Sequence, residues 1–211
     1  MKSLFDGRLY TFVDTAYLHG RNPADVAREL CEGGSDIVQL RAKNEPVDRI
    51  QRMAEAILPI TRAHGVPLVI NDHVEIARTL GAECVHLGQE DFFDAGLTHR
   101  AQLSSLKAQL GLSSHAPAQA ERAMAAGADY IAVGPVFATG TKPKRAPVTL
   151  DYVRWAAKNV PLPWFAIGGI TLENLDDVLG AGAKRVCVVS AILNARDVRA
   201  TCREFKRRLQ V

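Results

Sequence analysis

The sequence predicts a single (β/α)8 barrel over residues 1–211. Three observations carry that expectation. Eight short β-type runs alternate with segments whose apolar residues recur at helical spacing. The runs are continuously apolar rather than alternating, as strands covered on both faces should be. Four segments, EGGSDIVQL, TLGAECVHL, AAGADYIAV and GAGAKRVCV, repeat one pattern: a helix end, a glycine, a small or polar turn, then a buried strand. A doubly wound open sheet would share this alternation, because periodicity does not show closure.

The first run, Leu9–Val13, leads into Asp14, and the helical pattern Ala24–Glu32 follows. The second run, Ile37–Leu40, ends in QLRAK, which places Arg41 and Lys43 past the barrel edge. Two residues apart in an extended segment, their side chains point the same way. The helical pattern Val47–His64 precedes the third run, Leu68–Ile70, which is followed by Asn71 and Asp72. The fourth run, Cys84–Leu87, is followed by Asp91.

Residues just after barrel strands share one rim, so Asp72 and Asp91, after consecutive strands, become neighbours there. Adjacent carboxylates repel unless a positive charge lies between them. Hard oxygen ligands with one or two carboxylates suit magnesium completed by substrate phosphates. Each aspartate also has a purely structural reading: Asp72 as a cap of the helix beginning near Val74, Asp91 as a surface-turn residue. Arg41 and Lys43 beside such a metal imply a polyanion, and the Asn71 amide adds a donor for a phosphate oxygen.

The fifth run, Leu110–Leu112, leads into Ser113, Ser114 and His115. Ser113 reads either as a phosphate donor or as the cap of the next helical pattern, Ala116–Ala125; His115 reads as a structural turn residue, and no serine-based triad assembles from these motifs. The sixth run, Tyr130–Val133, is followed by VFATGTKPKR, where Thr139, Thr141 and Lys142 bring hydroxyl and ammonium donors into a glycine-bearing loop. That loop is suited to close over a phosphate or to stand as a solvated basic segment. The seventh run, Trp164–Ile167, ends at Gly168 and Gly169; the helical pattern Leu172–Leu179 and the eighth run, Arg185–Val189, follow, the latter passing into Ser190 before a last helical pattern, Val198–Leu209. Strand ends seven and eight are where barrels build phosphate sites from backbone N–H groups. Two anion sites result: a cationic, metal-assisted one suited to a diphosphate and an amide-built one suited to a monophosphate.

Composition narrows the partners. Lys plus Arg number 26 against 23 Asp plus Glu, a net charge of +3, which lacks the dense basic footprint of a nucleic-acid binder. No apolar run reaches membrane-spanning length, and the start, MKSLFDGRLYTFVD, breaks any signal-peptide pattern with Asp6 and Arg8, so a cytoplasmic location is expected. The four cysteines lack zinc-type spacing and read as buried, unpaired thiols. Small phosphorylated molecules are the expected partners; whether the chain forms a homo-oligomer stays open.

The ordered series LYTFVD, QLRAK, VINDHVEIA, GAECVHLGQED, LGLSSH, GADYIAVGPVFATGTK, AIGGIT and VVSAI resembles the thiamine-phosphate synthase family over nearly the whole chain. The resemblance implies a barrel that couples an aminomethylpyrimidinylmethyl diphosphate to a hydroxyethylthiazole phosphate, with magnesium, giving thiamine phosphate and pyrophosphate. It implies that Asp72 and Asp91 hold the metal; that Arg41, Lys43, Asn71, Ser113 and Lys142 grip the diphosphate; and that Gln39 lies against the pyrimidine. It further implies that Thr139, Thr141, Gly169 and the Val189-Ser190 backbone meet the thiazole phosphate. Val13-Asp14, where the family commonly has Thr-Asp, and Ala138, where a proline usually stands, depart from its pattern. Two rival readings accompany it: a thiazole tautomerase that shuttles a proton at His115 without metal, and a non-catalytic binder of a phosphorylated thiazole.

Overall fold

A computed structural model describes residues 6–103, 106–140 and 146–210. Eight parallel strands pair in sequence order and close, β1 against β8, into a barrel. They are β1 Leu9–Asp14, β2 Ile37–Arg41, β3 Leu68–Asn71, β4 Cys84–Leu87, β5 Gln109–Ser114, β6 Tyr130–Val133, β7 Trp164–Ile167 and β8 Val186–Val188. Closure removes the open-sheet alternative. The helices, in chain order, are α1 Pro23–Glu32, α2 Val47–Ala63, α3 Val74–Leu80, α4 Pro117–Ala125, α5 Thr149–Asn159, α6 Leu175–Gly180, α7 Ser190–Leu193 and α8 Val198–Arg208. Among the described residues no helix is long and apolar enough to cross a membrane. All four cysteines are buried, as expected.

Local chemistry accounts for the helix boundaries. Asn22 accepts from the Ala24 N–H at 2.8 Å with Pro23 just inside α1, and Asp197 accepts from the Ala200 N–H at 2.8 Å at the start of α8. Lys206, Arg207 and Arg208 then occupy the last turn of α8, where cations suit the helix dipole.

The fourfold repeat has a physical basis at the bottom of the barrel. Its glycines, Gly34, Gly81, Gly127 and Gly182, all hold positive φ, between 62° and 102°, which turns the chain out of one helix and into the next strand without a Cβ penalty. Two residues later comes Asp36, Glu83, Asp129 or Lys184. The first three place a carboxylate under the start of the preceding strand. Asp36 accepts from the N–H groups of Arg8 and Leu9 at 2.9 and 3.0 Å, Glu83 from that of Leu68 at 3.0 Å, and Asp129 from that of Leu110 at 2.7 Å. Each carboxylate meets a cation, Lys206, Arg62 or Arg100. Lys184 breaks the series in the last repeat.

Inside the barrel the rings of Tyr10, Tyr130 and Phe165 pack edge-on or tilted with centroids 5.3 to 6.2 Å apart, and Phe12 stacks on Tyr10 at 5.1 Å. Gly111, inside β5, makes room for this layer: a Cβ there would fall 2.0 Å from Tyr130 Cζ. Above these rings the inward positions turn polar, with Gln39, His86 and Ser113.

Candidate active site

A cleft of about 850 Å³, solvent at its mouth included, opens at the carboxyl ends of the strands. Among the expected site residues Gln39, Arg41, Asn71, Ser113, Thr139, Gly169, Val189 and Ser190 line it. Lys43, Asp72 and Asp91 stand outside its wall, while Thr141 and Lys142 lie outside the described residues.

Asp72 is not a helix cap. The α3 N-terminus has no side-chain cap, and the Asp72 carboxylate instead meets Lys43 Nζ at 3.4 Å and lies within hydrogen-bonding reach of Asp91. Its backbone is in the left-handed region, φ 65°, with its N–H donating to the His86 carbonyl at 2.9 Å. Asp and Asn tolerate that conformation better than most residues, and non-glycine strain of this kind concentrates at functional sites. Asp91 belongs to a short π-helical turn, Glu90–Asp94, directly after β4; a Cβ on Gly88 would fall 2.7 Å from Asp91 Oδ2, so the carboxylate folds back over that glycine. The two aspartates are thus rim neighbours. Burial above all pushes the Asp72 carboxyl above its ordinary value, and Asp91 adds to the rise against the opposing pull of Lys43. Among the described residues no group of three or more Asp, Glu, His or Cys is placed to hold a metal ion by itself. Two carboxylates that repel each other beside a cleft fit a magnesium ion whose remaining ligands are phosphate oxygens and water.

Arg41, the last residue of β2, donates to Asp14 Oδ2 at 2.8 Å; Asp14 is 1% exposed and also accepts from the Ala16 N–H at 3.1 Å. The guanidinium carries five N–H donors, so this bond orients it without exhausting it. Ser113 lies on β5 rather than past its end, because the strand extends to Ser114, and α4 starts only at Pro117 without a side-chain cap. Its hydroxyl meets His86 Nε2 at 2.9 Å. Across the cleft, Gly168 and Gly169 hold φ of 104° and 64°. A Cβ on Gly168 would fall 2.4 Å from Pro135 Cβ and one on Gly169 2.5 Å from the Ala138 carbonyl, so the loop after β6 rests directly on this turn. Ser190 begins α7 beside it, the place where barrels set a phosphate.

Several cleft groups escaped the sequence reading. Tyr10, Phe12, His86 and Cys187 line the cleft, all from within apolar runs. His115, read as structural, also lines it; its Nδ1 donates to the Gly134 carbonyl.

A profile of the thiamine monophosphate synthase family matches residues 9–192. The chain belongs to that family. It is 47% identical over 186 residues to the thiamine-phosphate synthase of Thermus thermophilus, covering 88% of each chain. With the thiamine-phosphate synthase of Halalkalibacterium halodurans it shares 37% identity over 95% of this chain and 94% of that one. Its fold matches a thiamine phosphate pyrophosphorylase structure from Pyrococcus furiosus with a TM-score of 0.85 at 28% identity, over 96% of this chain and 95% of the other. The shared region takes in both rim aspartates and the turn at Gly168-Gly169, so the geometry above is that of a thiamine monophosphate synthase family member.

Proposed function

We propose that the chain, acting as one barrel domain in the cytoplasm, is a thiamine-phosphate synthase. It joins 4-amino-2-methyl-5-pyrimidinylmethyl diphosphate to 4-methyl-5-(2-hydroxyethyl)thiazole phosphate, or its carboxylated form, and releases pyrophosphate. The observation that carries the reading is the juxtaposition of Asp72 and Asp91 beside Lys43 on one side of a cleft whose other side is the Gly169 and Ser190 turn.

The reaction's demands match those two poles. The thiazole nitrogen already carries a lone pair, so no base has to create the nucleophile; the difficult event is departure of pyrophosphate. Magnesium held by Asp72 and Asp91 would neutralise charge on the diphosphate. Arg41, oriented by Asp14, and Lys43 add fixed positive charge there, with Asn71 and Ser113 as neutral donors and with Lys142 and Thr141, which follow β6 in the sequence, as further donors. Gln39 faces the pyrimidine, whose amino group helps spread the positive charge left on its methylene. Thr139, Gly169 and the Val189-Ser190 backbone hold the thiazole phosphate. The substitution is therefore dissociative, with the protein stabilising the leaving group.

Incubation with both substrates and magnesium tests the reading. One pyrophosphate should appear for each thiamine phosphate. Failure to release pyrophosphate, with isomerisation of the carboxylated thiazole phosphate alone and no need for metal, would assign the cleft to the tautomerase chemistry in which His115 moves a proton.

A further inference from the structure

Four hydrogen bonds link five side chains, four of which line the cleft. Gln39 Nε2 donates to Tyr10 Oη at 2.5 Å, Tyr10 Oη and Tyr130 Oη are 3.2 Å apart, Tyr130 Oη meets His86 Nδ1 at 3.2 Å, and His86 Nε2 meets Ser113 Oγ at 2.9 Å. The chain visits five strands, β2, β1, β6, β4 and β5. Both ends line the cleft, whereas Tyr130 does not and is fully buried. Stacking of Tyr10 on Phe12, edge contacts with Phe165 and the close pass of Tyr130 over Gly111 hold the two tyrosine rings in place.

Proton counting gives this chain a direction. Each tyrosine hydroxyl has one hydrogen, and a neutral imidazole has one N–H and one acceptor nitrogen. Burial pushes both tyrosines well above their ordinary value, so both hydrogens are present. With one hydrogen per link, donation runs wholly toward Ser113 or wholly toward Gln39. The Gln39 amide nitrogen against Tyr10 selects the first. Tyr10 then donates to Tyr130, Tyr130 to His86 Nδ1, and His86 Nε2–H to Ser113 Oγ. The Ser113 hydrogen remains for the cleft, as does the Gln39 carbonyl. In the reverse direction Ser113 would spend its hydrogen on His86 and turn only lone pairs toward an anion.

We propose that Tyr10, Tyr130 and His86 are positioning residues forming a polarised relay. It fixes His86 as the Nε2–H tautomer, presents Ser113 to the diphosphate as a donor, and presents the Gln39 carbonyl to the pyrimidine's amino group. The identity of the two ligand groups rests on the function proposed above; the direction of the relay does not. The relay makes the two ends of one substrate interdependent, since an acceptor at Ser113 and a donor at Gln39 favour the same direction.

Histidine 15N chemical shifts, recorded on the full chain alone and with magnesium pyrophosphate, read the tautomer directly. The expected result is a protonated Nε2 and an unprotonated Nδ1 at His86 in both samples. A protonated Nδ1 would overturn the relay's direction. Tyr130→Phe removes the hydrogen given to His86 without touching the cleft. It should release the tautomer to a mixture and weaken magnesium pyrophosphate binding roughly three- to tenfold, the loss expected for one oriented hydrogen bond. An unchanged tautomer and affinity in this variant would overturn the proposal, and the tautomer of the unsubstituted protein decides the matter even if the variant does not fold. Absence of pyrophosphate release in the two-substrate assay would remove only the ligand identities.

Discussion

Asp72→Asn is expected to lower turnover by at least about a hundredfold if Asp72 holds magnesium as proposed, since direct ligands of a metal matter more than the outer partners that already cost 10–100-fold, while raising the thermal midpoint of the magnesium-free protein at neutral pH. Asparagine keeps the left-handed backbone at this position, φ 65°, so the substitution changes charge and little else. The stability gain follows from the raised carboxyl. Burial, reinforced by Asp91, disfavours the charged form in the folded chain relative to the unfolded one. A raised group contributes its full stability below the unfolded value and loses it as pH rises through the folded value. The wild-type chain should therefore gain stability on acidification through the window between that raised value and the ordinary one near about 3.9. The variant should lack this component. Loss of the 3.4 Å contact to the exposed Lys43 offsets little, as such pairs contribute little in water. Thermal melts over about pH 4 to 8 without metal, paired with turnover at saturating magnesium, check both halves; normal turnover or a less stable variant at neutral pH would contradict them.

Asp36→Ala should instead destabilise the fold by about 3–5 kcal/mol and leave the chemistry of the folded fraction unchanged. Asp36 is 3% exposed and satisfies the Arg8 and Leu9 N–H groups together with the Lys206 ammonium. Removing it strands two backbone donors and a largely buried cation at the end of the barrel opposite the cleft. Urea denaturation measures the loss. A change under about 1 kcal/mol would show that the carboxylate acts as an ordinary surface ion pair.

The repeat that announced the barrel was legible because its glycines act locally, in the turns they shape, and recur at the same place in each unit; the carboxylates two residues on reach back 15 to 28 residues to the strand before. The helix Thr149–Asn159 was not read, and its start explains why: Thr149 has φ 61°, outside the helical region, and the buried positions Tyr152, Val153 and Ala156 span little more than one turn. The four-residue α7 is too short to show a period. The rim was legible for a different reason. Charged and amide groups directly after apolar runs, Arg41, Asn71 and Asp72 among them, stand out against their surroundings. Tyr10, Tyr130 and His86 do not. They sit inside β-type runs as ordinary interior residues, and their hydrogen bonds join positions 44 and 120 residues apart, so only closure of the barrel reveals them. The Arg41–Asp14 pair, 27 residues apart, was hidden in the same way.

The most direct test of the rim as a magnesium diphosphate site is calorimetric titration of inorganic pyrophosphate into the protein with and without magnesium, repeated on Asp72→Asn. Two carboxylates beside the cations at Arg41 and Lys43 should repel pyrophosphate when magnesium is absent and join in holding it when magnesium is present. The expected result is an affinity at least about tenfold higher with magnesium, with that difference lost in the variant. Equal affinity with and without the metal in the unsubstituted protein would contradict the account.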